Sequence, residues 1–526
     1  MKKELFNNNW TFTSDIDATP RKVTLPHDAM QTEKRVPGLP NGSSSGCFPG
    51  GKYTYVKNFE VAEEGVTKTT FLEFEGVYMK SSVYLNGELL GGHIYGYTDF
   101  YVDLTGKVKA GTNEVKVIAD NSQTCNSRWY SGSGIYRDVY LHTAGEEYIK
   151  PDGIRVTTKS IAPAEISVTV DAVKKADTSV AVKVWKDGVC VAEGEGADLL
   201  LAIPDAKLWS AETPELYELE VALVSGGKEL DSTVETFGIR SLAWDSKNGF
   251  QVNGKTVKLR GGCVHHDHGV IGAPEFDAAC ERRVRAMKES GYNAIRISHH
   301  PASKAMMRAC DKLGMYMMNE SFDTWFGLKS PHDYAMYFEE MWADDLSQMV
   351  ITSYNHPCVV LYSIGNEIYV KEIEKTVEYT EKMVKLCHDL DGTRPVINAL
   401  NPLTTIMGNS ENPEQHRDDV VDPRAPGKGG GLAGSQLANT LVTLMPKLMK
   451  LVGNEKAMVK RNGALAPLDI VGFNYANYLY KKQHEDYPER VLCGTETFPQ
   501  KIAENWKMVM AMPWVIGDFM WTSCEY

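Results

Sequence analysis

The sequence of 526 residues has no C-x-x-C pair, no apolar run of 18 residues and no excess of basic side chains. Each absence removes a class of function. Ten cysteines are scattered singly, several inside apolar runs (Cys263, Cys358, Cys493), which suits reduced, buried thiols and a cytoplasmic location better than a disulfide framework or a zinc site. Without a long apolar run no membrane-spanning helix is expected. The opening "MKKELFNNNWTF" carries two lysines but no apolar segment behind them, so it does not read as a secretory leader. Asp and Glu outnumber Lys and Arg by 69 to 56, a net charge of -13, so nucleic acid is not an expected partner.

What is present divides into three styles. Residues 1–148 hold short alternating runs such as "TTFLEFEGV", "SSVYLNGELLGG" and "NEVKVIAD", with a hairpin turn at Asn86-Gly87, and predict a jelly-roll-like β-sandwich. Residues 149–240 repeat that alternation over the length of an immunoglobulin-like sandwich ("EISVTVDAV", "SVAVKVWKDG"). From 241 to 526 strands alternate with amphipathic helices. Eight strand candidates, "TVKLRGGCV", "YNAIRIS", "MYMMNES", "CVVLYSIGNE", "PVINAL", "LDIVGFNY", "RVLCGTE" and "VIGDFMW", predict a (β/α)8 TIM barrel. Between the fifth and sixth lies an insertion, about 401–467, expected to be a lid or a packing element.

Two strand ends stand out. Glu367 follows "YSIGN" at the end of the fourth strand, and Glu496 lies in "CGTETFP" at the end of the seventh. One carboxylate at a strand end is ordinary. Two at the C-terminal ends of opposing barrel strands face each other across the mouth, where barrel active sites are built. Glycoside hydrolysis uses such a pair: one carboxyl protonates the leaving oxygen while the other attacks the anomeric carbon.

The motifs "NHPCVVLYSIGNE", "CGTETFP", "SRWYSGSGIYRDVYL", "VKLRGGCVHHDH" and "NAIRISHHP" resemble, in order, those of glycoside hydrolase family 2, the family of β-galactosidases, β-glucuronidases and β-mannosidases. The resemblance implies that Glu367 is the acid/base, Glu496 the nucleophile, and Asn366 a donor to the sugar 2-hydroxyl. Arg296 is expected to hold Glu496 ionised, and the charge of Glu496 to keep Glu367 protonated. His265 and His299 match sugar-pocket positions, Tyr475 a tyrosine bonded to the nucleophile, and Trp521 a tryptophan stacked on the sugar. Asp120 matches an aspartate that reaches from the sandwich into the barrel mouth. The Glu-x-His of magnesium-dependent galactosidases is replaced by Thr324 and Phe326, so no metal or cofactor is expected, and the adjacent "HHDH" residues are read as no shared metal site.

The chain ends five residues after Trp521, before an eighth helix, which reads as a barrel truncated after its eighth strand. The expected activity is that of a retaining β-galactosidase acting on carbohydrate, with β-glucuronidase and a catalytically silent sugar-binding fragment as alternatives. A homo-oligomer is left open.

Overall fold

The computed structural model describes residues 1–370, 373–403, 412–425 and 462–524. The predicted insertion therefore lies largely outside the described residues.

The N-terminal part is a sandwich of a six-stranded and a four-stranded antiparallel sheet. Its alternating strands bury one face each, and Trp10, Tyr53, Tyr55, Leu72, Phe74 and Val117 form a shared core. The Asn86-Gly87 turn joins strands Ser82–Leu85 and Glu88–Gly91, with both turn residues at positive φ (50° and 89°), as a two-residue hairpin requires. A second sandwich follows, of three and four strands around Ile166, Val168, Val182, Leu219 and Val221.

Eight parallel strands then close into a barrel. They are Leu259–Val264, Ala294–Ile297, Tyr316–Glu320, Val359–Asn366, Val396–Leu400, Ile470–Asn474, Val491–Thr497 and Val515–Met520, and the first pairs with the eighth. All eight expected strands are in place. They read as near-continuous apolar runs because both faces are covered, one by helices and the other by the barrel interior. Helix starts follow local chemistry: Ser303 caps Lys304–Leu313 by accepting from the Met306 N–H, and Gly314, at φ +75°, ends it.

Both sandwiches lean on the barrel. Arg137 of the first donates to the Pro301 carbonyl, and Asn355 of the barrel bonds the backbone of Ile154 and Val156 in the second. Among the described residues no helix is long and apolar enough to cross a membrane.

Candidate active site

The C-terminal ends of the barrel strands converge on Arg296. This side chain, fully buried at the end of the second strand, donates from Nη1 to Glu496 Oε1 (2.8 Å) and the Thr495 carbonyl (3.0 Å). From Nε and Nη2 it donates to Glu320 (2.7–3.0 Å), and Nη2 also reaches Asn366 Oδ1 at 2.9 Å. Asn474 Nδ2 bridges Asn366 Oδ1 (3.0 Å) and Glu367 Oε1 (3.2 Å). The two expected carboxylates are thus joined through Arg296, Asn366 and Asn474.

Glu367 sits just past the fourth strand at φ +45°, a left-handed conformation that a β-carbon disfavours and that surrounding bonds must hold. Its N–H donates to the Ala399 carbonyl (2.7 Å), and Asn401 Nδ2 fixes its carboxylate (2.6 Å). Tyr475, at φ +57°, is held likewise: its N–H donates to the Glu496 carbonyl, its ring stacks on Phe498 at 4.2 Å, and its phenol is near enough to the Glu496 carboxylate to favour its charge. His299 Nδ1 meets Glu320 at 2.7 Å, with Nε2 3.7 Å from Glu496. Trp521 stacks on His299 (5.2 Å, 5°) and stands edge-on to His265.

Asp120 is not brought to this cluster. Its carboxylate is bound by Lys52 (2.9 Å) and by the N–H and hydroxyl of Ser122, a local turn pattern. The sandwich instead reaches the mouth through Arg128 and Trp129. Arg128 clasps Asp323 with two bonds (2.8 and 2.5 Å), and Trp129 stacks on His265 at 5.1 Å. Sequence reasoning also passed over Glu320, Asp323, Lys329, Asn401 and Asn474. Three of these, Glu320, Asn401 and Asn474, are polar residues that end apolar strands, the signal that singled out Glu367.

The electrostatics correct a second expectation. Burial pushes Glu496 up to about 7, with Glu367 adding to it and Arg296 opposing. Burial also raises Glu367, but Lys329, Arg128 and the amides of Asn401 and Asn474 outweigh it, and its net shift is downward. Arg296 serves Glu320 as well as Glu496, so one cation faces two buried anions, while two further cations flank Glu367. Burial thus works against the charge of Glu496 while two cations favour that of Glu367, the reverse of the expected directions. His265, depressed to about 4 by burial, is neutral.

The Thr324 hydroxyl donates to the Gly327 carbonyl, and Phe326 packs against Phe338 and Tyr379, so these positions do not fit a magnesium ligand set.

Family comparison agrees with this geometry. The model described as "Glycosyl hydrolases family 2, TIM barrel domain" matches residues 246–413, that described as "Glycosyl hydrolases family 2" matches 138–240, and its sugar binding domain matches 47–145. The chain belongs to glycosyl hydrolase family 2. Within that family it is 35% identical to β-galactosidase BoGH2A of Bacteroides ovatus over 72% of this chain and 51% of that protein. A β-glucuronidase of Bacteroides fragilis is 28% identical over 99% of this chain and 76% of that one. A crystal structure of a family 2 member from Bacteroides cellulosilyticus superposes with a TM-score of 0.82 at 31% identity, covering all of this chain and 67% of that chain. The chain spans about half the length of the Bacteroides ovatus relative.

Proposed function

We propose that this chain carries the catalytic centre of a retaining β-glycosidase, with β-galactosides as substrates. The observation that supports it most is the hydrogen-bonded chain from Glu496 through Arg296, Asn366 and Asn474 to Glu367. In the first step Glu496 attacks the anomeric carbon, the glycosidic C–O bond breaks, and Glu367 gives its proton to the leaving oxygen. In the second, Glu367 takes a proton from water, whose oxygen displaces Glu496 and releases the sugar.

The first step needs the proton of the pair on Glu367. A glycosidic oxygen accepts a hydrogen bond from protonated Glu367 and none from the ionised form, so a bound substrate favours the protonated one. Asn366 would serve the 2-hydroxyl: its Nδ2 donates one bond to Asp323 (3.0 Å), and the amide has a second N–H to give. Trp521 and Trp129 offer flat apolar faces to the sugar ring.

Charge favours a neutral sugar. Among the described residues at the mouth, the cations Arg296, Arg128 and Lys329 are each bonded to a carboxylate: Glu320 and Glu496, Asp323, and Asp323 respectively. No spare cation in this group is offered to a uronate. The name of the Bacteroides ovatus relative supports the same reading. Hydrolysis of 4-nitrophenyl β-galactoside and β-glucuronide compared on this chain tests it: the galactoside should have the higher kcat/KM by about 100-fold or more, which corresponds to roughly 2.7 kcal/mol or more. Faster glucuronide turnover would reverse the sugar assignment, and no turnover of either would support a sugar-binding fragment.

A further inference from the structure

Away from the catalytic carboxylates, two histidines and an aspartate meet where three parts of the chain touch. His332, buried, lies in the segment after the third barrel strand. His416 ends the short turn Pro413–His416, and Asp419 follows three residues on. Asp419 Oδ2 lies 3.1 Å from His332 Nε2 and 2.9 Å from His416 Nδ1. The two rings are perpendicular (89°) with centroids 6.0 Å apart, and the three ligand atoms lie within 4.8 Å of one another.

Proton bookkeeping at His332 makes this more than a surface contact. Its Nδ1 faces the Thr124 carbonyl at 3.1 Å. A carbonyl only accepts, so the Nδ1 proton is committed there, and a neutral ring then turns its Nε2 lone pair toward a carboxylate oxygen. Two acceptors face each other at 3.1 Å. Either a second proton or a cation shared by both must lie between them.

We propose that His332 Nε2, His416 Nδ1 and Asp419 bind a borderline divalent transition cation, zinc foremost. Two imidazoles and a carboxylate are a zinc donor set. With bonds of about 2.0–2.1 Å, tetrahedral zinc holds its ligand atoms about 3.3 Å apart. The observed 3.1 and 2.9 Å edges need to open by only a few tenths of an ångström. Thr124 fixes the tautomer of His332, as outer partners of metal-bound histidines do. Arg417, two residues before Asp419, has carboxylate partners of its own, Glu340 at 2.8 Å and Glu414 at 4.0 Å. Half-exposed Asp419 leaves solvent room for a fourth ligand.

The ion would fasten residues 412–419 to the barrel and the first sandwich. Those residues are already tied there: Gln123 Nε2 donates to the carbonyls of Arg417 (2.7 Å) and Asp419 (2.8 Å), and Arg417 Nε donates to the Met336 carbonyl. The buried trio His268, Glu275 and Cys280 is a poorer candidate. Glu275 Oε2 already accepts from Ser303 and Cys280, and Arg137 lies 3.8 Å from its other oxygen.

Zinc titration of chelator-stripped protein against a colorimetric competitor tests the proposal, with the thermal midpoint followed in parallel. The wild type should bind about one ion per chain and melt at a higher temperature when loaded. His416→Ala and Asp419→Asn, both at partly exposed positions, should lower zinc affinity by at least the roughly 10–100-fold that outer-shell changes cost, with the metal-free melting point unchanged. Cys280→Ser should bind zinc as the wild type does. Absence of zinc binding by the wild type, unchanged affinity in both His416 and Asp419 variants, or loss in Cys280→Ser would overturn it.

Discussion

Burial raises the Glu496 carboxyl against the pull of Arg296, and that shift has a measurable signature in stability. A carboxyl raised from 4.5 to about 7 by folding contributes stability that is full below pH 4.5 and lost as pH rises through 7. Glu496→Gln removes that dependence. The variant should therefore gain on the wild type as pH rises from 4.5 to 7, by up to about 3 kcal/mol at 1.36 kcal/mol per unit. Urea unfolding across that range measures it, and a constant difference would show that Glu496 is not raised. The chemical roles separate by leaving group. Glu496→Ala should abolish turnover of every substrate, whereas Glu367→Ala should keep glycosylation by activated aryl glycosides and be rescued by azide. Asp120 and Trp129 make a further pair. Trp129→Ala, which removes the face stacked on His265, should cut kcat/KM by roughly 10-fold or more, equivalent to about 1.4 kcal/mol. Asp120→Ala should leave it nearly normal, since its partners are Lys52 and Ser122. Equal losses in the two variants would contradict this placement.

Among the elements, barrel strands were legible because burial on both faces writes itself into sequence as apolar runs ending in polar residues. "YSIGNE" and "CGTETFP" needed no tertiary information to be recognised as strand ends carrying acids. Which sandwich loop reaches the mouth is a different kind of fact, set by how two domains dock. The family resemblance placed Asp120 there; docking placed Arg128 and Trp129. The opposite shifts of the pair were hidden for a similar reason, because burial of Glu496 and the approach of Lys329 and Arg128 to Glu367 are set by tertiary packing. Closure of the ring rests on close approach of its first and eighth strands. A Cβ at Gly261 would lie 2.1 Å from the Phe519 ring, so Gly261→Ala forces that buried ring or one of the two strands to move. It should cost about 1–3 kcal/mol, read as a lower thermal midpoint; an unchanged midpoint would mean that the first and eighth strands are not tightly apposed.

At the scale of the molecule, three regions meet on Lys304. Its ammonium lies 2.6 Å from Glu73 and 3.2 Å from Asp99 of the first sandwich, and 3.6 Å from Asp152 of the second. Glu73 is fully buried, and it is held well below the usual carboxylate range despite burial, chiefly by Lys304. Lys304→Met takes the nearest cation from Glu73 and leaves it Lys3 (2.8 Å) and His142 (2.7 Å), so it should destabilise the chain by about 1–3 kcal/mol in urea unfolding, less than removing the sole partner of a buried charge; a loss below about 1 kcal/mol would mean that the junction does not depend on it. Such docking matters to chemistry because Arg128 and Trp129 reach the mouth from the first sandwich. In the proposed reaction Glu496 forms a covalent bond to the sugar. A 2-deoxy-2-fluoro β-galactoside with a good leaving group, which slows release of the glycosyl-enzyme, tests that directly by peptide mass spectrometry after digestion. One fluorosugar on the peptide containing Glu496 is the expected result. Label on Glu367 or elsewhere, or turnover of β-galactosides with inverted configuration and no label, would contradict it.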